Sequence, residues 1–331
     1  MPGQFDFRRF ESLYPSWEAR FASGPGTGRF GYRPGYATCS YGSTDMLFCR
    51  AIQSRLELSR EETREWAEVI NGFQDGRGWY RKSHTIHHRE HTTAYAIAAL
   101  SLLGAKPRHR LAWADPIQRD ERSMERWIRD PWWSLAWPGS HVVGGVAAAL
   151  AMTGEGDSRF FEWYFRWLDG EADPDSGYWS RGLAHRLGLV RKDGMHAMGG
   201  SFHMYFLYER FGLKWPHPEK VVDATLALQH ANGFWDGRVA YCVDLDGVWC
   251  LTRSSRIAGG HRADEVREAC ARFLAGAERT LNDREFLFSN YRDSHRLPGA
   301  LAAIAECQLH YPEMVLTERP WRQTLDSACW I

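Results

Sequence analysis

The 331-residue chain lacks an excess of either charge: 41 Lys and Arg stand against 41 Asp and Glu. That balance excludes the broad basic face that binds nucleic acid or an anionic membrane. No apolar run approaches the roughly 18 residues of a membrane-spanning helix, so no membrane span is expected. The first residues, Met1 to Arg9, carry no apolar signal region. Seven cysteines (Cys39, Cys49, Cys242, Cys250, Cys270, Cys307 and Cys329) form no Cys-x-x-Cys pair and are odd in number. A disulfide framework and a cysteine-rich structural zinc site are both disfavoured, and the expected compartment is the cytoplasm. No Gly-x-Ser-x-Gly elbow occurs, which leaves a serine hydrolase unsupported. The string Gly24-Pro-Gly-Thr-Gly28 lacks the Lys-Ser/Thr of a phosphate loop.

Indole is abundant: 16 Trp accompany 13 Tyr and 17 Phe. Indoles pack cores, but they also line wide, rigid cavities and stabilise cations through their faces. The chain also repeats. His91, His141, His196 and Asp244 each precede Gly or Ala and then an apolar helical stretch, at separations of 50, 55 and 48 residues. Weaker copies begin at Tyr41 and His295, which makes six. These segments are apolar nearly all round, the mark of helices buried on every side. Between them lie amphipathic stretches at Arg60–Phe73, Arg119–Arg129, Ser158–Leu168, Pro218–Gln229 and Asp264–Leu281. The pattern predicts an all-α protein, an (α/α)6 toroid or barrel of alternating inner and outer helices. It is expected to form one domain over 1–331, with an N-terminal arm at about 1–38; residues 20–40 read as loop. An open solenoid has the same pattern.

A turn recurs after the outer stretches: Gln74-Asp-Gly-Arg-Gly78-Trp79-Tyr80, Gln229-His-Ala-Asn-Gly233-Phe234-Trp235 and, without Gln, Asp173-Pro-Asp-Ser-Gly177-Tyr178-Trp179. With the Ala/Gly-rich inner helices, it resembles the repeat of squalene-hopene cyclases and protein prenyltransferase β subunits over residues 40 to 310. The resemblance implies the toroid and a central cavity for an isoprenoid-like substrate. The cyclases carry Asp-x-Asp-Asp; here Asp244-Leu245-Asp246-Gly247 lacks the last Asp, and Asp246 stands where that family's proton donor lies. The prenyltransferase zinc set, with its Asp-x-Cys pair, has no counterpart.

Repeat-equivalent positions of a ring converge on one rim. Asp246, Asp45, Asp244, His91, His141 and His196 are therefore the candidate catalytic residues. Trp79, Tyr95, Trp179, His203, Trp235, Trp249 and His295 are candidates for binding substrate. Asp caps helices well, whereas His caps them poorly, so recurring His is less easily structural. The leading reading is an acid–base cyclase, isomerase or lyase for an isoprenoid-like or apolar small molecule, with Asp246 or Asp45 as acid. It requires no cofactor and assigns no metal ligand. A transition metal on the His/Asp ring, held by His91, His141 and His196 with an Asp, is the other chemistry that fits. The His-rich tract Ser83–His91 reads first as a solvated loop, with metal chelation by its i, i+3 and i+4 histidines, or anion attraction with Arg81, Lys82 and Arg89, as alternatives; Pro131–Pro138 reads as a packed corner or a cavity wall. A carbohydrate-active (α/α)6 hydrolase, lyase or epimerase and a non-catalytic scaffold are the competing functions. A homo-oligomer is compatible with all of them.

Overall fold

In the computed structural model, described over residues 3–81, 87–129, 136–179 and 194–331, each of the six apolar segments is a helix. In chain order the helices are α1 (Arg8–Glu18), α2 (Ser40–Ile52), α3 (Arg60–Asn71), α4 (Arg89–Leu102), α5 (Asp115–Gln118), α6 (Glu121–Arg129), α7 (Ala136–Thr153), α8 (Ser158–Glu171), α9 (Gly194–Arg210), α10 (Pro218–Leu228), α11 (Cys242–Ile257), α12 (Ala263–Leu281), α13 (Arg284–Asn290) and α14 (Arg296–His310). The protein is mostly helical. Strand is limited, among the described residues, to β1 (Phe5–Asp6) pairing in parallel with β2 (Val315–Leu316), which ties the two ends of the chain together. Ser83, His84, Pro131, Trp132 and Trp133 of the tracts read from sequence lie outside the described residues. No described helix is long and apolar enough to cross a membrane.

Helix α2 packs on α4, α4 on α7, α7 on α9, α9 on α11, α11 on α14, and α14 on α2. The amphipathic segments are the polar-faced helices. In α3, Trp66, Ala67 and Ile70 are buried while Glu61, Arg64 and Glu68 face water. Ser59 and Glu62 cap its start reciprocally: Ser59 Oγ accepts from Glu62 N at 3.2 Å and Glu62 Oε2 accepts from Ser59 N at 2.8 Å.

Small residues set the spacing between neighbouring buried helices. A Cβ on Gly145 would lie 2.9 Å from the Glu90 carbonyl of α4, and one on Gly200 would lie 2.7 Å from Ala136 C of α7. A Cβ on Gly299 would lie 2.5 Å from Cys242 N of α11. Backbone meets backbone at three of the six contacts, which only glycine allows.

The recurring turns work through their Gln. Gln74 Nε2 donates to Gly78 O at 3.3 Å and His109 O at 2.9 Å; Gln229 Nε2 donates to Gly233 O and Ala269 O, both at 2.9 Å. Each amide closes its own turn and fastens it to a later segment.

The segment read as an arm contains more structure than expected. Phe10, Tyr14 and Trp17, spaced four and three apart, form the buried face of α1. Trp17 Nε1 donates to Tyr291 O at 3.0 Å. Residues 22–39 hold no helix.

Candidate functional site

Residues of five buried helices, α4, α7, α9, α11 and α14, line one small pocket. His91 is the third residue of α4, Asp246 the fifth of α11 and His141 the sixth of α7, and all three line it. His203, two turns further along α9 than His196, reaches the same space. His87 and His295 complete a cluster of five imidazoles, and Tyr95, Trp137, Phe202, Leu245, Pro298 and Ile331 supply apolar wall. The free volume is about 20 Å³, of the order of one water molecule.

The glycine pair of α7 explains why three of the histidines meet. A Cβ on Gly144 would lie 2.7 Å from His203 O and 3.1 Å from His203 Cβ; one on Gly145 would lie 3.1 Å from His91 N. His141 sits one turn before that pair, so α4 and α9 close on α7 from either side of it. Ring centroids are 4.7 Å apart for His91 and His141, 5.4 Å for His141 and His203, and 4.3 Å for the stacked His87 and His91.

Hydrogen bonds orient most of these rings through Nδ1. His295 Nδ1 donates to Asp45 Oδ1 at 2.9 Å. Ser140 Oγ gives its proton to Trp137 O at 2.6 Å, so it accepts from His203 Nδ1 at 2.8 Å. The Tyr41 hydroxyl lies 2.9 Å from His91 Nδ1 and 3.1 Å from His87 Nδ1. His141 Nδ1 is buried with no hydrogen-bond partner among the described residues. Burial, then repulsion from the neighbouring imidazoles, pushes His91 and His141 well below the usual histidine range, and burial takes His203 down to about 3. All three are neutral bases at pH 7. One ring nitrogen each of His91, His141 and His203 lies within 4.8 Å of the other two, and His87, His91 and His295 make a second such set.

The three candidate carboxylates have different surroundings. Asp45 is fully buried and saturated: Tyr95 donates to it at 2.8 Å, as do Ser294 and His295. It holds His295 rather than facing the pocket. Asp244 is a helix cap, accepting from Tyr241 N at 2.9 Å and Trp235 N at 3.0 Å. Burial outweighs those bonds and pushes its carboxyl up to about 7. Asp246 lines the pocket, and its Oδ2 is buried without a hydrogen-bond partner among the described residues. Burial, and then the neighbouring Asp244, hold this carboxyl well above the usual range.

Of the aromatic candidates, Tyr95 lines this pocket. Trp179 is buried beside Tyr205 and donates to Leu168 O at 2.8 Å. Trp235 donates to Thr225 O at 3.0 Å and covers Gly247. Trp249 stacks on Trp215, and Trp79 on Trp113 at 3.9 Å under the Arg89 guanidinium. These four pack between elements and are not among the residues lining this pocket. His196 is half-buried against Trp137; its place in the imidazole cluster is taken by His203. Sequence reading passed over Tyr41, Ser140 and Trp137 as partners of these rings. It favoured a solvated loop for His87, with chelation through the four-residue spacing of His87 and His91 as the lesser reading. No protein-family model matches the chain, and no curated protein matches it in sequence.

Proposed function

We propose that the chain is an (α/α)6 toroid whose central pocket carries out acid–base chemistry, as a cyclase, isomerase or lyase, on an apolar small molecule. The closed cycle of packing, α2–α4–α7–α9–α11–α14–α2, supports the toroid. The observation that carries the chemistry is Asp246. A buried carboxyl with an unpartnered oxygen is costly to keep, and it lies in a pocket beside neutral imidazoles. In this reading Asp246 is the protonated acid at neutral pH, and a histidine of the cluster, with His295 fixed by Asp45, accepts the proton that the product releases. Tyr95, Trp137 and Phe202 turn aromatic surface toward the same space, which suits an apolar or cationic intermediate.

Sugar chemistry by paired carboxylates is less well supported. Among the described residues, Asp246 is the one carboxylate that lines this pocket, and Asp45 and Asp244 are spent on internal hydrogen bonds. A filled, inert scaffold leaves Asp246 Oδ2 and His141 Nδ1 without a reason to be unpartnered.

The test is thermal stabilisation of the purified chain by two ligand panels, since a binder of the folded state raises the melting temperature. Prenyl diphosphates and apolar terpenoids form one panel, neutral and uronic oligosaccharides the other. A selective rise with the first, followed by turnover that Asp246→Asn abolishes without unfolding the chain, is the expected result. A selective rise with the sugars, or turnover indifferent to Asp246→Asn, overturns the proposal.

A further inference from the structure

We infer that His91, His141 and His203 form a binding site for one divalent transition-metal ion. The three side chains come from three successive buried helices, α4, α7 and α9, and all are buried. One nitrogen of each lies within 4.8 Å of the others. A tetrahedral site with metal–nitrogen bonds of about 2.1 Å needs nitrogens about 3.4 Å apart, a gap that small ring rotations close.

Three further features match what an ion requires. The pocket that the three rings help to line has a free volume of about 20 Å³, enough for an ion or a water. Metal-bound imidazoles hold their second nitrogen in a hydrogen bond that fixes ring and tautomer. His203 meets this condition through Ser140, which leaves its Nε2 with the lone pair, and His91 meets Tyr41 through Nδ1. Finally, Gly144 and Gly145 remove the two side chains that would keep α9 and α4 away from His141. Three neutral imidazoles lining one small pocket offer a cation the lone pairs that ligation needs.

An all-nitrogen set selects zinc or a neighbouring first-row ion over magnesium or calcium, which take oxygen ligands. Three protein ligands leave a fourth position open to water or to a substrate oxygen. The site shares the pocket of the acid–base proposal but does not depend on Asp246 being the acid. It is tested without any substrate, so either idea can fail alone.

The experiment uses the full chain, purified without a histidine tag and stripped with chelator. Zn(II) is added in a calorimeter and Co(II) in a spectrophotometer, with melting curves alongside. Wild type is expected to take up one ion per chain, to show the visible bands of cobalt in a nitrogen-rich, low-coordinate site, and to melt at a higher temperature with the ion. His141→Ala and His203→Ala should each weaken Zn(II) binding at least 100-fold. His196→Ala, two turns back along α9 and outside the residues that line the pocket, should bind like wild type. Where an alanine variant does not fold, X-ray absorption on the cobalt-loaded wild type decides. Three imidazole ligands support the site, and one or none overturns it. Failure of folded wild type to take up a stoichiometric ion, or uptake unchanged in both folded variants, also overturns it.

Discussion

Replacing Asp246 by Asn should stabilise the protein, and should do so only where a carboxylate would ionise. Asp246 is buried, lacks a partner for Oδ2 and has its carboxyl held well above the ordinary 3.8 by burial. In the unfolded chain the same group ionises near 3.8. A folded value above the unfolded one means that the group's contribution is fully present below pH 3.8. It is lost as pH rises toward the folded value. Each pH unit across that window costs up to about 1.36 kcal/mol, so the ceiling at pH 7 is about 4 kcal/mol. Asn is nearly isosteric and never charges, so it escapes this loss. At ~2.1 cal/mol/K per residue, 331 residues unfold with an entropy of about 0.7 kcal/mol/K. Four kcal/mol is then about 6 °C. Calorimetric melts of chelator-treated wild type and Asp246→Asn, taken from pH 4 to pH 8, should show the variant melting up to about 6 °C higher at pH 7, with the gap closing toward pH 4. A gap independent of pH, or a variant less stable at pH 7, would refute the argument that Asp246 is kept protonated at a cost to the fold.

Other positions give independent checks. Glu306 is fully buried and accepts from Arg253 at 2.6 and 3.0 Å, Thr252 at 2.9 Å and Gln323 at 2.9 Å. Glu306→Gln leaves the guanidinium short of a counter-charge and should cost about 3–5 kcal/mol in a urea titration at pH 7. Because His310, 3.0 Å from its Oε1, and the Arg253 guanidinium outweigh burial and depress the Glu306 carboxyl, its stabilisation is present above the ordinary glutamate value and lost as pH falls, so the difference from wild type should shrink in acid. Gly200→Ala puts a methyl 2.7 Å from backbone carbon of α7; a loss of about 1–3 kcal/mol is expected by thermal melt. Tyr41→Phe strips the hydroxyl shared by His91 and His87 and should cost about 1–3 kcal/mol. Trp330→Ala empties the space beside His203, on which the indole stacks at 4.8 Å, for a loss of about 3–5 kcal/mol.

The helices were legible because their pattern is written in residue type. All-round apolar stretches at a spacing near fifty residues mark the buried helices, and mixed stretches between them mark the polar-faced ones. Helix α1 was missed because its apolar face has only Phe10, Tyr14 and Trp17, with Pro15 among them. At the site, the repeat register pointed to His91, His141 and Asp244, and Asp246 came from the partial Asp-x-Asp string two residues on; of these, His91, His141 and Asp246 line the pocket. It misjudged α9. Equivalence pointed to His196, but the helix lies so that the residue seven positions later reaches the pocket, and that placement depends on contacts far apart in sequence. The carboxylates were recognised as a group, yet their division into cap, ring holder and unpartnered acid rests on single hydrogen bonds. Spacing does not encode those bonds. The tryptophans were the least legible, because the same indole serves a cavity wall or a helix interface and only the backbone around it decides.

The glycine contacts have a consequence for how such a centre tolerates change. Where helices touch through side chains, their separation drifts with every rotamer and every substitution. Here three of the separations are stops of main chain against main chain at Gly145, Gly200 and Gly299. The gauge of the central space is then set by covalent dimensions, and thermal breathing of the walls moves it little. Side chains facing inward can be exchanged without the walls closing or spreading, while a methyl added at one of the stops shifts two helices together. The scaffold fixes distance and leaves chemistry free to vary, which is the order of priorities that a preorganised centre needs.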